Sequence, residues 1–223
     1  MRKALPLIIM GIILFFPFLL QAQEQEKKPA FVPALNIGVK GGTSFSQLNF
    51  NPTIDQTFTR GILGGVVFQY IDHANVGIQI ELNYVQKGWT EQLDTITTYR
   101  RSLNYLELPF MTHVTLGKNN SNFIINFGPA VSYLLSNTDS INLINESDTL
   151  RYYQKSINNK IDFGLTLGIG FAKKTVIGIF ELEGRFTYGF NNIINKSQGL
   201  TVASNQNITV SLSYLIPFRR KED

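Results

Sequence analysis

The sequence predicts an all-β fold, an eight-stranded antiparallel up-and-down transmembrane β-barrel, and three observations carry that prediction. Apolar and polar residues alternate with period two in eight stretches, the side-chain period of a pleated strand. The connections between those stretches alternate long and short along the chain. Aromatic residues on the apolar face gather toward both ends of the strands. In a soluble sandwich the apolar face would point inward. In a membrane barrel it points out to lipid while the polar face lines the interior, and long loops at one end with tight turns at the other mark such barrels.

Bulk properties agree with this class. The chain has 223 residues, 43% of them hydrophobic, and its mean hydropathy of +0.00 is too low for a bundle of membrane helices. Alternating strands give such a value even in a membrane, because half their residues are polar. The absence of cysteine excludes a disulfide framework, a cysteine-ligated zinc site and a lipidated N-terminal cysteine.

Arg2 and Lys3 precede an apolar run over residues 4–20 and then Gln21-Ala22-Gln23, the layout of a secretory signal peptide. Residues 1–22 are therefore expected to be removed, in preference to serving as a helical anchor, because Pro6, Gly11 and Pro17 interrupt the run. Without Arg2 and Lys3 the net charge of +4 falls to 18 basic against 16 acidic residues, no footprint for nucleic acid. Residues 23–33 read as a polar, proline-punctuated periplasmic lead-in, and residues 34–218 as the barrel.

The first strand sets Leu35, Ile37, Val39, Thr43 and Phe45 against Asn36, Gly38, Lys40, Gly42 and Ser44. The second groups Ile62, Val66, Phe68 and Tyr70, with Leu63 and Val67 on the other face. The third is the cleanest: Val76, Ile78, Ile80, Leu82 and Tyr84 oppose Asn75, Gly77, Gln79, Glu81 and Asn83, and the strand runs to about Lys87. In the fourth, Leu106, Leu108, Phe110, Val114 and Leu116 oppose Tyr105, Glu107, Met111 and His113. The fifth carries Phe123, Ile125, Phe127, Pro129, Val131, Tyr133 and Leu135 over Ile124, Asn126, Gly128, Ala130, Ser132 and Leu134. The sixth alternates Ile161, Phe163, Leu165, Leu167, Ile169 and Phe171 with Asp162, Gly164, Thr166, Gly168 and Gly170. The seventh sets Val176, Phe180, Leu182, Phe186, Tyr188 and Phe190 against Ile177, Ile179, Glu181, Glu183, Arg185 and Thr187. The last carries Ile208, Val210, Leu212, Tyr214, Ile216 and Phe218 over Thr209, Ser211 and Ser213, before a polar tail at 219–223.

Residues 47–58, 88–98, 137–157 and 191–204 are expected as long polar loops, and 71–74, 117–121 and 172–174 as tight turns. This sorting puts the turns and both termini in the periplasm and the long loops outside the cell. Under one register, Tyr70, Phe123, Phe171 and Phe218 fall at the periplasmic ends, and Phe45, Tyr84, Tyr133, Tyr188 and Phe190 at the outer ends. They read as two interfacial belts. Trp89, just past the third strand, is expected to anchor the outer interface. Lipid offers no partner to an unpaired amide, so the last strand must bond the first. Its end, Tyr214-Leu215-Ile216-Pro217-Phe218, has the alternating, aromatic-ended form that recruits the barrel-insertion machinery, although five polar residues follow it.

Three motifs carry a resemblance to a family: Gly38-Val39-Lys40-Gly41-Gly42, Gly61-Ile62-Leu63-Gly64-Gly65, and the most specific, Tyr105-Leu106-Glu107-Leu108-Pro109-Phe110. The chain resembles PorT-like outer-membrane β-barrels, a broad group of porin-family proteins of Gram-negative bacteria. The resemblance implies an eight-stranded membrane barrel in the outer membrane and no single activity. The group's namesake takes part in secretion across that membrane, and a secretion or surface partner is an expectation of this resemblance only.

The inward face is expected to hold Glu81, Glu107, Asp162, Glu181 and Glu183, with Lys40 and Arg185 as partners. Glu81 and Glu107 lie mid-strand on neighbouring strands, and two close carboxylates can build an acid–base pair. The preferred reading is a polar plug, because an eight-stranded barrel is just wide enough for its own side chains and buried charges must pair. His73 in a turn and His113 near the periplasmic end both lie at the wrong end for an outer-leaflet hydrolase. No phosphate-binding loop, metal-binding helix pair or nucleophile elbow occurs. No catalytic activity, cofactor or metal is therefore expected, and the partners are outer-membrane lipid and the insertion machinery. The expected role is a structural, surface-binding or assembly component, with a narrow porin-like channel for small solutes as the alternative and an outer-leaflet enzyme using carboxylates or serines as the weaker one. The longest loop carries Asp139, Glu146, Asp148, Arg151, Tyr152, Tyr153 and Lys155, which suit a binding surface and a solvated loop equally.

Overall fold

Period-two alternation gives each strand one oily and one wet face, and the chain satisfies both by closing a sheet on itself. A computed structural model describes residues 33–51, 55–92, 98–117, 120–142, 157, 159–193 and 202–219. The signal-peptide assignment, nearly all of the lead-in, most of the 137–157 loop and residues 220–223 lie outside the described residues.

The strands are β1 (Ala34–Asn51), β2 (Gln56–Thr57), β3 (Thr59–His73), β4 (Val76–Gln92), β5 (Thr98–Leu116), β6 (Ser121–Asn142), β7 (Ile161–Lys174), β8 (Ile179–Gly189) and β9 (Val202–Arg219). The two-residue β2 pairs only with β4, opposite Thr90 and Glu91. The eight others form an antiparallel ring in chain order, β1-β3-β4-β5-β6-β7-β8-β9. The last strand closes on the first over their whole length, from Ala34 opposite Arg219 to Asn51 opposite Val202. Closure leaves the ring no sheet edge, the condition for a sheet to sit in hydrocarbon.

The packing is inside out. Ile62, Leu212 and Phe171 on the outer wall are 59%, 56% and 64% exposed, whereas Glu81, Gln79 and Asn83 in the lumen are 0% exposed. No soluble fold gains from this arrangement, because burial in water is driven by apolar surface. On β6 the outward stripe runs from Phe123 to Leu135. At about 3.3 Å per residue and a tilt of about 40°, it spans roughly 30 Å, the hydrocarbon thickness of a bilayer. Leu63 and Val67, which break the alternation of β3, are buried inward.

The structure corrects several boundaries. The four long loops are shorter than expected, because β1 continues to Asn51, β4 to Gln92 and β6 to Asn142, while β5 begins at Thr98 and β9 at Val202. Beyond the bilayer the outward face no longer has to be oily, so the backbone ladder continues where the alternation fades. The expected turn at 172–174 lies instead at 175–178, where Thr175 N–H donates to the Gly178 carbonyl at 2.8 Å. Val176 and Ile177 sit in that turn, exposed, and not on opposite faces of a strand. Gly178 has φ of +150°, and a Cβ there would lie 2.6 Å from the Leu215 carbonyl oxygen. A bulge between Asn104 and Tyr105 shifts the β5–β6 register, so Leu103 faces Asn137 and Arg101 faces Asp139. Inward parity on β6 thereby switches from even to odd positions.

Candidate functional site

The lumen is assembled from small residues facing large charged ones. Lys40 on β1 lies opposite Gly65 of β3, and Gly65 lies opposite Asn83 of β4. With no side chain at Gly65, Lys40 reaches past β3 to Glu81, with Nζ 2.7 Å from Oε1. On the other flank, Ser211 and Ser213 of β9 stand opposite Glu183 and Glu181. Gly168 of β7 faces Arg185, and a Cβ on Gly168 would lie 2.0 Å from Glu183 Oε1. The side chains that are missing define the space the charges fill.

At mid-height the Arg185 guanidinium is a two-sided clasp. Its two terminal nitrogens donate to both oxygens of Glu81 at 2.8 Å each. Its Nε and one terminal nitrogen donate to Glu183 at 3.1 and 2.8 Å. Lys40 adds a bond to Glu183 at 2.8 Å, Asn83 donates to Glu81 at 2.7 Å, and Gln79 donates to Glu81 as well. Asn126 reaches Glu183 at 2.9 Å. Two carboxylates and two cations balance in this layer, and every charge has several partners, as burial demands. In the ring order β4 and β8 stand diametrically opposite. The Arg185–Glu81 bond therefore ties one wall to the other through the centre.

Toward the loop end, Lys87 pairs with Glu107 at 2.5 Å, and Ser132 donates to the same carboxylate at 3.1 Å. Asp162 accepts from Asn205 at 2.7 Å, while its Oδ1 receives no hydrogen bond from a described residue. A cavity of about 10 Å³, lined by Lys87, Ser132, Asp162, Thr187 and Asn205 among others, adjoins it. That is about the space of one water. Toward the turn end, Gln69 donates to both oxygens of Glu181 at 3.0 and 3.1 Å. His113 is hydrogen-bonded on both ring nitrogens, to Asn126 at 2.7 Å and to Thr115 at 3.0 Å. His73 is exposed beside Asp72 at 3.2 Å.

Lys40, Glu81, Glu183 and Arg185 thus share one ion-pair network, whereas Glu107 and Asp162 stand outside it. Glu181 joins it only through Gln69, whose amide donates to Gln79 at 2.7 Å, and Gln79, which donates to Glu81. Glu107 lies opposite Asn83 and not Glu81, so Glu81 and Glu107 hold different cations and form no carboxylate pair. Sequence reading missed Lys87, although its odd position puts it on the face of Glu81 and Asn83. Trp89 shares that parity. It is not an interface anchor: it is 0% exposed and its indole N–H donates to Glu91 at 2.6 Å. Tyr99 lies edge-on to Trp89, with ring centroids 6.2 Å apart. The Arg101 guanidinium lies 5.8 Å from the Trp89 ring centroid and pairs with Asp139 at 2.9 Å. With Leu48, Leu103 and Ile193, also buried, these side chains form an aromatic and apolar layer above the charged one.

On the outer wall, Tyr70, Phe123, Phe171 and Phe218 lie toward the turn end, and Phe45, Tyr84, Tyr133, Tyr188 and Phe190 toward the loop end. Phe123 and Phe171 stack edge-on at 5.4 Å, and Tyr188 and Phe190 at 5.9 Å.

A family model described as outer membrane protein beta-barrel domain matches residues 21–195. The chain belongs to this family. It is an outer-membrane β-barrel, and the closing strand β9 lies beyond the matched segment. No curated protein matches the chain. Several solved structures are similar to it. OprG from Pseudomonas aeruginosa shares 11% identity over 86% of this chain and 97% of its own, with a TM-score of 0.46. Neisserial surface protein A shares 10% over 81% and 97%, with a TM-score of 0.43. Ail, the attachment invasion locus protein of Yersinia pestis, shares 8% over 81% and 98%, with a TM-score of 0.42.

The unequal treatment of the lumen carboxylates has a measurable consequence. Asp162 has no cation within ion-pair distance among the described residues, so Asp162→Asn removes an uncompensated charge and keeps an acceptor toward Asn205. Its unfolding free energy from urea titration should be unchanged or raised, by at most about 2 kcal/mol. A clear loss of stability would mean that the carboxylate holds a charged partner.

Proposed function

We propose that this family member is a non-enzymatic, sealed barrel of the PorT-like kind that acts as a structural, surface-binding or assembly component at the cell surface. The signal peptide exports it, the insertion machinery reads its C-terminal strand, its turns and termini face the periplasm, and its strand extensions and loops face outward. The Arg185–Glu81 clasp across the full diameter carries the reading. A solute would have to break a buried, doubly hydrogen-bonded ion pair to pass, and wide diffusion pores are built from about 16 strands. With the lumen filled, the surface free for recognition is the loop end, where a rigid scaffold usually places it. The chemistry supports the absence of catalysis: Glu81 and Glu107 are each bound to their own cation, and both nitrogens of His113 are occupied.

Planar-bilayer recording on the refolded full chain tests this. The expected result is a baseline indistinguishable from protein-free membrane. Reproducible conductance steps, lost or altered on changing Arg185, would replace the sealed scaffold with a narrow channel.

A further inference from the structure

The outer wall at the loop end of β3–β5 carries positive charge without a partner among the described residues. Arg60 is the first polar side chain beyond the outward apolar stripe of β3, which ends with Ile62 at 59% exposure. In register it lies opposite Phe45 of β1 and four residues beyond Gly64, which lies opposite Tyr84 of β4. Arg100 projects from the outward face of β5, and its guanidinium reaches over β4 to donate to the Arg60 carbonyl at 3.1 Å. Gly88, on that face of β4 between Tyr84 and Thr90, has no side chain to obstruct it. Both arginines are exposed, and neither forms an ion pair with a described residue. Their outward neighbours on β4 and β5, Gln86, Thr90, Ser102 and Asn104, are all uncharged. Glu91 and Asp139, the acidic residues at this height, point into the barrel. Asp55 directly precedes β2 and forms no ion pair with either arginine.

We propose that Arg60 and Arg100 form a binding site for the phosphate of an outer-leaflet lipid headgroup, held against the wall beside Phe45 and beyond Tyr84. Guanidinium groups suit this task, because their planar donors match phosphate oxygens in pairs. One bond to a backbone carbonyl fixes Arg100 in place and leaves its remaining donors facing out. Position selects a lipid over a soluble anion. In register Arg60 stands four residues and Arg100 six residues beyond Tyr84, about 10 and 15 Å at roughly 2.5 Å of height per residue of tilted strand, which is the headgroup layer of a bilayer. The acyl chains of the same lipid would lie along Ile62, Leu82 and Leu106 beneath. The site rests on the proposed orientation only in naming the outer leaflet.

Native mass spectrometry of the refolded full chain tests the site, with diphosphoryl lipid A as probe. The wild type should retain one lipid through delipidation, and Arg60→Gln/Arg100→Gln should lower that retention by about tenfold or more, at about 1 kcal/mol per basic residue near the surface. Lys173→Gln/Lys174→Gln, at the turn end, should leave it unchanged. Both side chains lie outside the lumen, so the double variant should keep the wild-type heat-dependent gel shift; should it not fold, the two single variants carry the measurement. Equal retention by wild type and variants, equal loss in the Lys173/Lys174 control, or equal retention of a lipid A stripped of its phosphates would each overturn the proposal. Displacement of the lipid by millimolar inorganic phosphate would assign the site to a free anion and overturn it too. Orientation is read separately. The chain has no cysteine, so Thr57→Cys should react with an impermeant maleimide on whole cells and Ala74→Cys should not. The reverse labelling would sink the orientation and leave the purified-protein result standing.

Discussion

Arg185→Met should destabilise the barrel by about 3–5 kcal/mol, the cost of leaving buried carboxylates without their counter-charge. Arg185 makes donor contacts with Glu81 and Glu183 at once. Removing it leaves two buried carboxylates sharing the single ammonium of Lys40. Methionine nearly fills the volume, so the loss is electrostatic and not a packing void. Urea titration of the refolded protein in detergent, followed by its heat-dependent gel shift, measures it. A second substitution isolates the cause: Glu183→Gln in the Arg185→Met background removes the surplus charge, leaves the Lys40–Glu81 pair intact and should recover about half of the loss. If Arg185→Met cost under about 1 kcal/mol, water would have to be screening these charges, as it does for surface pairs. The lumen would then be wet, and the sealed scaffold would fall with it.

The same network shows what could be seen in the chain beforehand. Face assignment on a strand needs only parity, so Lys40, Glu81, Asp162, Glu183 and Arg185 could be put inside the barrel without knowing the register. Which of them meet depends on stagger between strands, and parity is blind to it. Glu107 sits opposite Asn83, one inward position away from Glu81, and that offset gives it a different cation. Strand ends were hidden for another reason. Above the bilayer the outward face no longer has to be oily, so β4 from Thr90 and β5 from Thr98 to Asn104 lose the alternation while keeping their ladder. Trp89 could still have been placed by its odd number, which it shares with Glu81 and Lys87. Asp139 could not, because the bulge at Asn104–Tyr105 reverses parity along β6. Val176 and Ile177 misled in the opposite sense, being apolar residues in a turn.

Leu167→Arg should cost about 2–4 kcal/mol in phospholipid vesicles, the penalty for a charge near the bilayer midplane on a barrel's outer wall. Leu167 is central on the outward stripe of β7, between Phe127 of β6 and Phe186 of β8, and it is 49% exposed. Its surroundings offer arginine no carboxylate, and the side chain would have to stretch toward a headgroup about 15 Å away. Leu167→Ala sharpens the reading. In a close-packed interior that truncation costs about 2–5 kcal/mol, because a cavity remains. Against lipid the chains flow into the gap, so no cavity term is added and the loss should not exceed about 2 kcal/mol, roughly the transfer value of the three carbons removed. A residue facing water would show neither loss, since surface substitutions away from special features cost less than about 0.5 kcal/mol whichever side chain is introduced. The pair of variants therefore distinguishes three surroundings for one residue. Only a large arginine penalty combined with an alanine penalty free of any cavity term is compatible with a wall that looks out on hydrocarbon.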